Sequence, residues 1–125
     1  MGQCIAVVSG KGGTGKTSFT AGVGAALALS GLRVLCVDCD IGLRNLDIAL
    51  GLSDAALMDF SDVAQQRCTL ERAVVAHPQL AKLSLLTAPI RQRGQPVTGE
   101  QMASLLRAVR MQYDFCLLDA PAGLG

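Results

Sequence analysis

Apolar positions along this chain fall into two patterns, short unbroken runs and longer stretches with helical spacing. Cys4-Ile5-Ala6-Val7-Val8 is an unbroken run between Gln3 and Ser9, which predicts a strand buried in a sheet. Ser9 to Gly15 is a glycine-rich turn, and Lys16 to about Ser30 favours helix, with Phe19, Val23, Ala26 and Leu27 expected on one apolar stripe. Gly22 and Gly24 within it each cost roughly 1 kcal/mol relative to alanine, a cost expected where a helix packs closely on a sheet. Gly31 fits the position that stops the helix.

Arg33 to Asp38 is a second apolar run ending in an acid, followed by a polar, glycine-containing loop from Asp40 to Asp47. Phe60, Val63 and Ala64, and then Leu70, Ala73 and Val74 behind a Thr69 cap, predict two short helices. Leu83 to Leu86 is a third strand, and Arg91 to Val97, with Gly94 and Pro96, an exposed loop. Thr98-Gly99-Glu100-Gln101 matches a capping box, after which Met102, Leu105, Leu106 and Val109 recur at helical spacing. Phe115 to Asp119 is the fourth strand. Strands alternating with helices imply a mostly parallel sheet with helices on both faces, an α/β fold.

At 125 residues the chain is one domain or a piece of one. Half of its residues are hydrophobic, which excludes a disordered chain. The formal net charge is +1, too little for the positive field on which nucleic-acid affinity rests, so no direct nucleic-acid partner is expected. Five cysteines cannot all pair within the chain. Cys36 and Cys39 read C-x-x-C, but residues three apart on a strand face opposite ways, and the one histidine, His77, precedes Pro78. Core cysteines in a reducing cytosol are expected. No targeting segment or apolar stretch of ~20 residues is present, so a cytoplasmic chain is expected.

Gly10-Lys11-Gly12-Gly13-Thr14-Gly15-Lys16-Thr17 matches G-x-x-x-x-G-K-S/T, the phosphate-binding loop, between a strand and a helix. The glycines let backbone N–H groups surround the phosphates at the positive end of the helix. Lys16 is expected to reach the β- and γ-phosphates of ATP, and the Thr17 hydroxyl to coordinate Mg²⁺. Gly10, Gly12 and Gly15 also spell G-x-G-x-x-G, the dinucleotide fingerprint. Lys16-Thr17 is superfluous for a dinucleotide and required for a triphosphate with metal, and Asp119 stands where a second metal-holding acid belongs. Asp38, Asp40 and Asp119 all follow apolar runs, at the sheet edge where open α/β folds bind ligands. Asp47, Asp54, Asp59 and Asp62 are expected to be solvated caps.

Ser9 to Thr17, with its extra lysine at Lys11, resembles the deviant Walker A motif of the MinD/ParA ATPases. Asp38-Cys39-Asp40-Ile41-Gly42-Leu43-Arg44-Asn45-Leu46-Asp47 is similar to switch I in the MinD branch of that family, and Asp119-Ala120-Pro121-Ala122-Gly123 to its Walker B and switch II segment. The resemblance implies a P-loop ATPase that hydrolyses ATP with Mg²⁺ as an ATP-dependent homodimer. Lys11 then reaches the partner subunit's phosphates, Asp40 positions the attacking water, Asp38 lies beside metal and nucleotide, and Asp119 binds Mg²⁺ through water. Gly10, Gly12, Gly13, Thr14, Gly15 and Ser18 complete the expected nucleotide contacts. It also implies a MinC-like inhibitor, a MinE-like activator, division-site placement, and attachment to the inner face of the cell membrane through a C-terminal helix.

ParA-type partition ATPases, flagellar-placement ATPases and a non-catalytic nucleotide-binding remnant are the alternatives. The chain stops at Gly125, within what resembles switch II. Residues 1–125 are therefore expected to be the N-terminal part of a single P-loop ATPase domain, lacking the adenine-recognition residues and the membrane helix. Alone they are expected to be poorly soluble and inactive, because uncovered parallel strands promote aggregation.

Overall fold

The computed structural model describes residues 2–7, 14–39, 49–50, 58–89 and 94–120, with residues 14–17 described by their backbone. The elements run β1 (Gln3–Val7), α1 (Thr14–Leu29), β2 (Val34–Asp38), α2 (Phe60–Ala64), α3 (Leu70–Ala73), β3 (Val75–Ala76), β4 (Leu83–Leu86), α4 (Gly99–Gln112) and β5 (Phe115–Asp119). The strands form one sheet in the order β1-β5-β2-β4-β3, parallel throughout except for β3 against β4. The four expected strands and the helices between them are all present. The added β3 is two residues long, too short to show a period in the sequence.

Alternation along the strands sorts side chains to two faces. Val34, Cys36, Leu83, Leu85 and Leu117 pack under α1. Leu35, Val37, Leu86 and Cys116 pack under Leu105 and Val109 of α4 and under α2 and α3. Each buried Leu or Val contributes about 1.5–3 kcal/mol by leaving water. Cys36 and Cys39 fall to opposite faces, as their spacing requires, and all five cysteines are free thiols.

The face that α1 buries differs from the expected stripe. Thr20, Gly24 and Ala28 turn inward, Val23 and Leu27 flank them, and Phe19 is 61% exposed. Small residues four apart let the helix axis approach the sheet, which a row of large side chains would prevent. A Cβ on Gly24 would stand 2.8 Å from Cys36 Sγ, so this glycine marks the expected close approach. Gly22 does not, since a Cβ there meets nothing within 4 Å.

The helix ends at Gly31 as expected, with φ +101°. Leu32 N–H donates to Leu27 C=O at 3.2 Å and Gly31 N–H to Ala28 C=O at 3.0 Å, the paired bonds of a Schellman motif.

At α4 the expected capping box is present: Thr98 Oγ1 accepts from Gln101 N–H, and Gln101 Oε1 accepts from Thr98 N–H. Thr69 occupies the N-cap of α3, but its side chain makes no capping bond. Asp59 and Asp62 are buried rather than solvated. Asp59 accepts from the Ser61 hydroxyl and the Ser61 and Asp62 N–H groups, Asp62 accepts from Asp59 N–H, and Arg67 Nε meets Asp62 Oδ1 at 2.8 Å. Those partners compensate the lost water.

β1 also departs from expectation. Ile5 is 43% exposed and Ala6 is exposed, because β1 is a sheet edge whose one neighbour among the described residues is β5. An apolar run shows that a strand suits burial, not which element covers it. Gly94 and Gln95 are exposed as expected, while residues 90–93, Asp47 and Asp54 lie outside the described residues.

Candidate functional site

A parallel sheet places the carboxyl ends of its strands along one edge, and here that edge is acidic. Asp38 ends β2 and Asp119 ends β5, and the two are register partners on adjacent strands, which lie about 4.8 Å apart. Asp38 is fully buried and Asp119 is 1% exposed. By alternation both share the face of Cys36 and Leu117, the face covered by α1. The strand ends are tied down: Cys39 N–H donates to Asp119 C=O at 3.0 Å, and Ala120 N–H to Val7 C=O at 3.1 Å.

The charge on this edge is felt one pleat away. Burial, followed by the Asp119 carboxylate, pushes the Cys36 thiol up to about 12. Such a field calls for a cation, and α1 supplies a positive pole. The helix starts at Thr14, two residues before the expected Lys16, so Thr14, Gly15, Lys16 and Thr17 form its first turn. Their N–H groups are those a helix leaves without internal partners, the donors suited to phosphate.

Two threonines that sequence reasoning passed over are fully buried, and one of them stands at the same edge. Thr20 of α1 is fully buried. Thr87 follows Leu86, whose register partner is Val37, so it lies one residue past β4 on the side of Asp38. Thr87 is fully buried, and its Oγ1 has no hydrogen-bond partner among the described residues. A hydroxyl left in that condition costs about 1–3 kcal/mol. The available signal was position, since Thr87 follows an apolar strand just as Asp38 and Asp119 end theirs.

Gly10, Lys11, Gly12, Gly13 and Asp40 lie outside the described residues. Ser18 is on α1 with an exposed side chain. His77 is no metal ligand here: its Nδ1 accepts from Gln79 and Leu80 N–H. Among the described residues no group of three His, Cys, Asp or Glu side chains could hold a metal ion. Mg²⁺ takes oxygen ligands and is usually held by one or two carboxylates plus substrate phosphates. Asp38 and Asp119 fit that description. Among the described residues no helix is long and apolar enough to cross a membrane.

Comparison with known proteins agrees with this arrangement. The septum site-determining protein MinD of Synechocystis is 42% identical over 124 residues, covering 99% of this chain and 47% of that protein. The chain therefore spans about half the length of the curated relatives it matches. Among solved structures, the MinC:MinD cell division protein complex of Aquifex aeolicus superposes with a TM-score of 0.85 at 38% identity, over 98% of this chain and 49% of the other. The septum site-determining protein MinD of Pyrococcus horikoshii, complexed with Mg-ADP, gives 0.78 at 34% identity, over 100% of this chain and 51% of the other. The sequence model of the CobQ/CobB/MinD/ParA nucleotide binding domain matches residues 5–116. With the fold, the acidic edge and that match in agreement, the chain belongs to the CobQ/CobB/MinD/ParA nucleotide-binding family.

Proposed function

We propose that residues 1–125 are the N-terminal part of a single P-loop ATPase domain, and that the protein is a MinD-type switch. In this reading Mg²⁺-dependent hydrolysis of ATP is coupled to dimerisation, membrane attachment and division-site placement. The observation that carries it is the buried, in-register pair Asp38–Asp119 on the edge where the helix of Lys16 and Thr17 begins. The likeness to MinD proteins along 99% of the chain supports the choice within the family.

The residues divide the work by chemistry. The N–H groups at the start of α1, with Gly10, Gly12, Gly13, Thr14 and Gly15, cradle the phosphates, while Ser18 follows in the same helix. Lys16 neutralises the β- and γ-oxygens. Thr17 and Asp119 would hold Mg²⁺, Asp119 through water, with Asp38 beside them. The ion would supply charge neutralisation to the phosphates. Asp40 orients a water towards the γ-phosphorus; the bond to the β–γ bridging oxygen breaks, ADP leaves with that electron pair, and the water's proton passes to phosphate. Lys11 of one subunit places its ammonium on the charge developing at the partner's γ-phosphate. A MinC-like inhibitor would ride on the ATP-bound dimer, and a MinE-like activator would reset it.

The test is calorimetric titration of the full-length protein with Mg-ATP, comparing wild type with Lys16→Ala. The expected result is loss of tight binding, since no other side chain can replace the ammonium at the phosphates. Unchanged affinity would refute the P-loop assignment.

A further inference from the structure

We propose that Thr87 is a positioning residue for the metal-bound nucleotide, its buried hydroxyl accepting from a water in the shell of the cation held beside Asp38. The inference rests on the ATPase reading above and extends it to a residue outside the sequence motifs. Three observations carry it. Thr87 is fully buried, and Oγ1 has no hydrogen-bond partner among the described residues. Thr87 is the residue after Leu86, the register partner of Val37, so it lies one residue past β4 on the side of Asp38, which is itself the register partner of Asp119 at the carboxyl edge. Alternation turns all three towards α1, whose first turn carries Lys16 and Thr17.

Chemistry argues against an idle hydroxyl. Valine has nearly the same shape, so a threonine with no use for its oxygen loses free energy on burial and gains nothing. A hydroxyl can turn its proton and accept or donate as the ligand requires. Mg²⁺ sheds its waters reluctantly and usually keeps several when bound to a nucleotide. A shell water next to Asp38 is therefore the partner this oxygen lacks. Thr87 touches no reacting atom in this scheme; it acts through the cation's water.

The experiment compares wild type, Thr87→Val and Thr87→Ser in the full-length protein. Thermal midpoints without nucleotide are measured first, then affinities for ATP with Mg²⁺ and for ATP with EDTA. Thr87→Val is expected to melt at the wild-type temperature or above it without nucleotide, because it removes a buried oxygen that no described residue satisfies. Its Mg-ATP affinity is expected to fall about 3- to 10-fold, the range for one hydrogen bond, with ATP–EDTA affinity unchanged. Thr87→Ser, which keeps the hydroxyl, is expected to retain wild-type Mg-ATP affinity. Equal Mg-ATP affinity for wild type and Thr87→Val would overturn the proposal. So would an equal loss with and without the metal, or a lower midpoint in the absence of nucleotide with binding intact. The ATPase reading fails separately: if Lys16→Ala binds Mg-ATP normally, that reading falls, whereas loss in Lys16→Ala with none in Thr87→Val overturns only the role of Thr87.

Discussion

Gly22 and Gly24 lie two residues apart in α1, yet replacing each by alanine should change stability in opposite directions. At Gly22 an added Cβ meets nothing within 4 Å. The change then delivers the helix-propensity gain alone, about 0.5–1 kcal/mol. At Gly24 the same gain opposes a collision, because the new Cβ stands 2.8 Å from Cys36 Sγ, 3.3 Å from Leu83 Cδ1 and 3.6 Å from Leu117 Cδ1. Cys36 and Leu83 are fully buried and Leu117 nearly so, so the sulfur must shift within the core to admit the methyl group.

Overpacking a core of this kind costs about 1–3 kcal/mol, so Gly24→Ala should be neutral to destabilising by about 2 kcal/mol. The two variants share composition and unfolded-state effects, so their difference, about 1–3 kcal/mol, is the firmer quantity. Urea denaturation of the full-length protein reads it as a separation of midpoints at a common slope. Adding Cys36→Ala to Gly24→Ala removes the colliding atom, and a double-mutant cycle should show favourable coupling. Gly24→Ala as stable as Gly22→Ala would refute the close approach of α1 to the sheet.

Lys11→Ala should still bind nucleotide as a monomer while losing ATP-dependent dimerisation, measured by light scattering with and without Mg-ATP; a variant that dimerises normally would reduce Lys11 to a loop residue. Asp40→Ala should keep ATP affinity and lose about 100-fold in single-turnover hydrolysis, the usual scale for a misplaced reactant. The Cys36 thiol, pushed from 9.0 up to about 12 by burial and then by Asp119, favours the folded state while it stays protonated. Because its folded pKa lies above the unfolded one, that contribution is complete below pH 9 and is lost as pH rises towards 12. Unfolding free energy should decline over that window more steeply in wild type than in Cys36→Ala, and equal slopes would count against the burial argument.

Much of the architecture was legible because its signals are local. Unbroken apolar runs marked the four main strands, Thr98 and Gln101 marked the start of α4, and Gly31 marked the end of α1. What escaped depends on partners distant in sequence or on residues that hydropathy undervalues. Thr20 and Ala28 share the buried face of α1 with Gly24, whose close approach was expected, yet neither stands out in an apolar pattern, whereas Phe19 does and is exposed. Asp59 and Asp62 read as caps, which they are, but as solvated ones, because charge is local information while burial and the Arg67 ion pair are not. Asp38 and Asp119 were recognisable at the site because an acid closing an apolar run is conspicuous. Thr87 in the same position was not, because a lone hydroxyl leaves no charge pattern.

The strand order has a consequence for how such a chain folds during synthesis. β5 is inserted between β1 and β2, and it is the one described strand that touches β1. Gln3 therefore waits for Phe115, its register partner, before it has any strand to bond. Until residue 119 emerges from the ribosome, β2, β4 and β3 can assemble, but β1 cannot join them. Loop closure over so many residues is entropically costly and must precede the contacts that reward it. The last described strand to be made is thus the one that joins β1 to the other described strands.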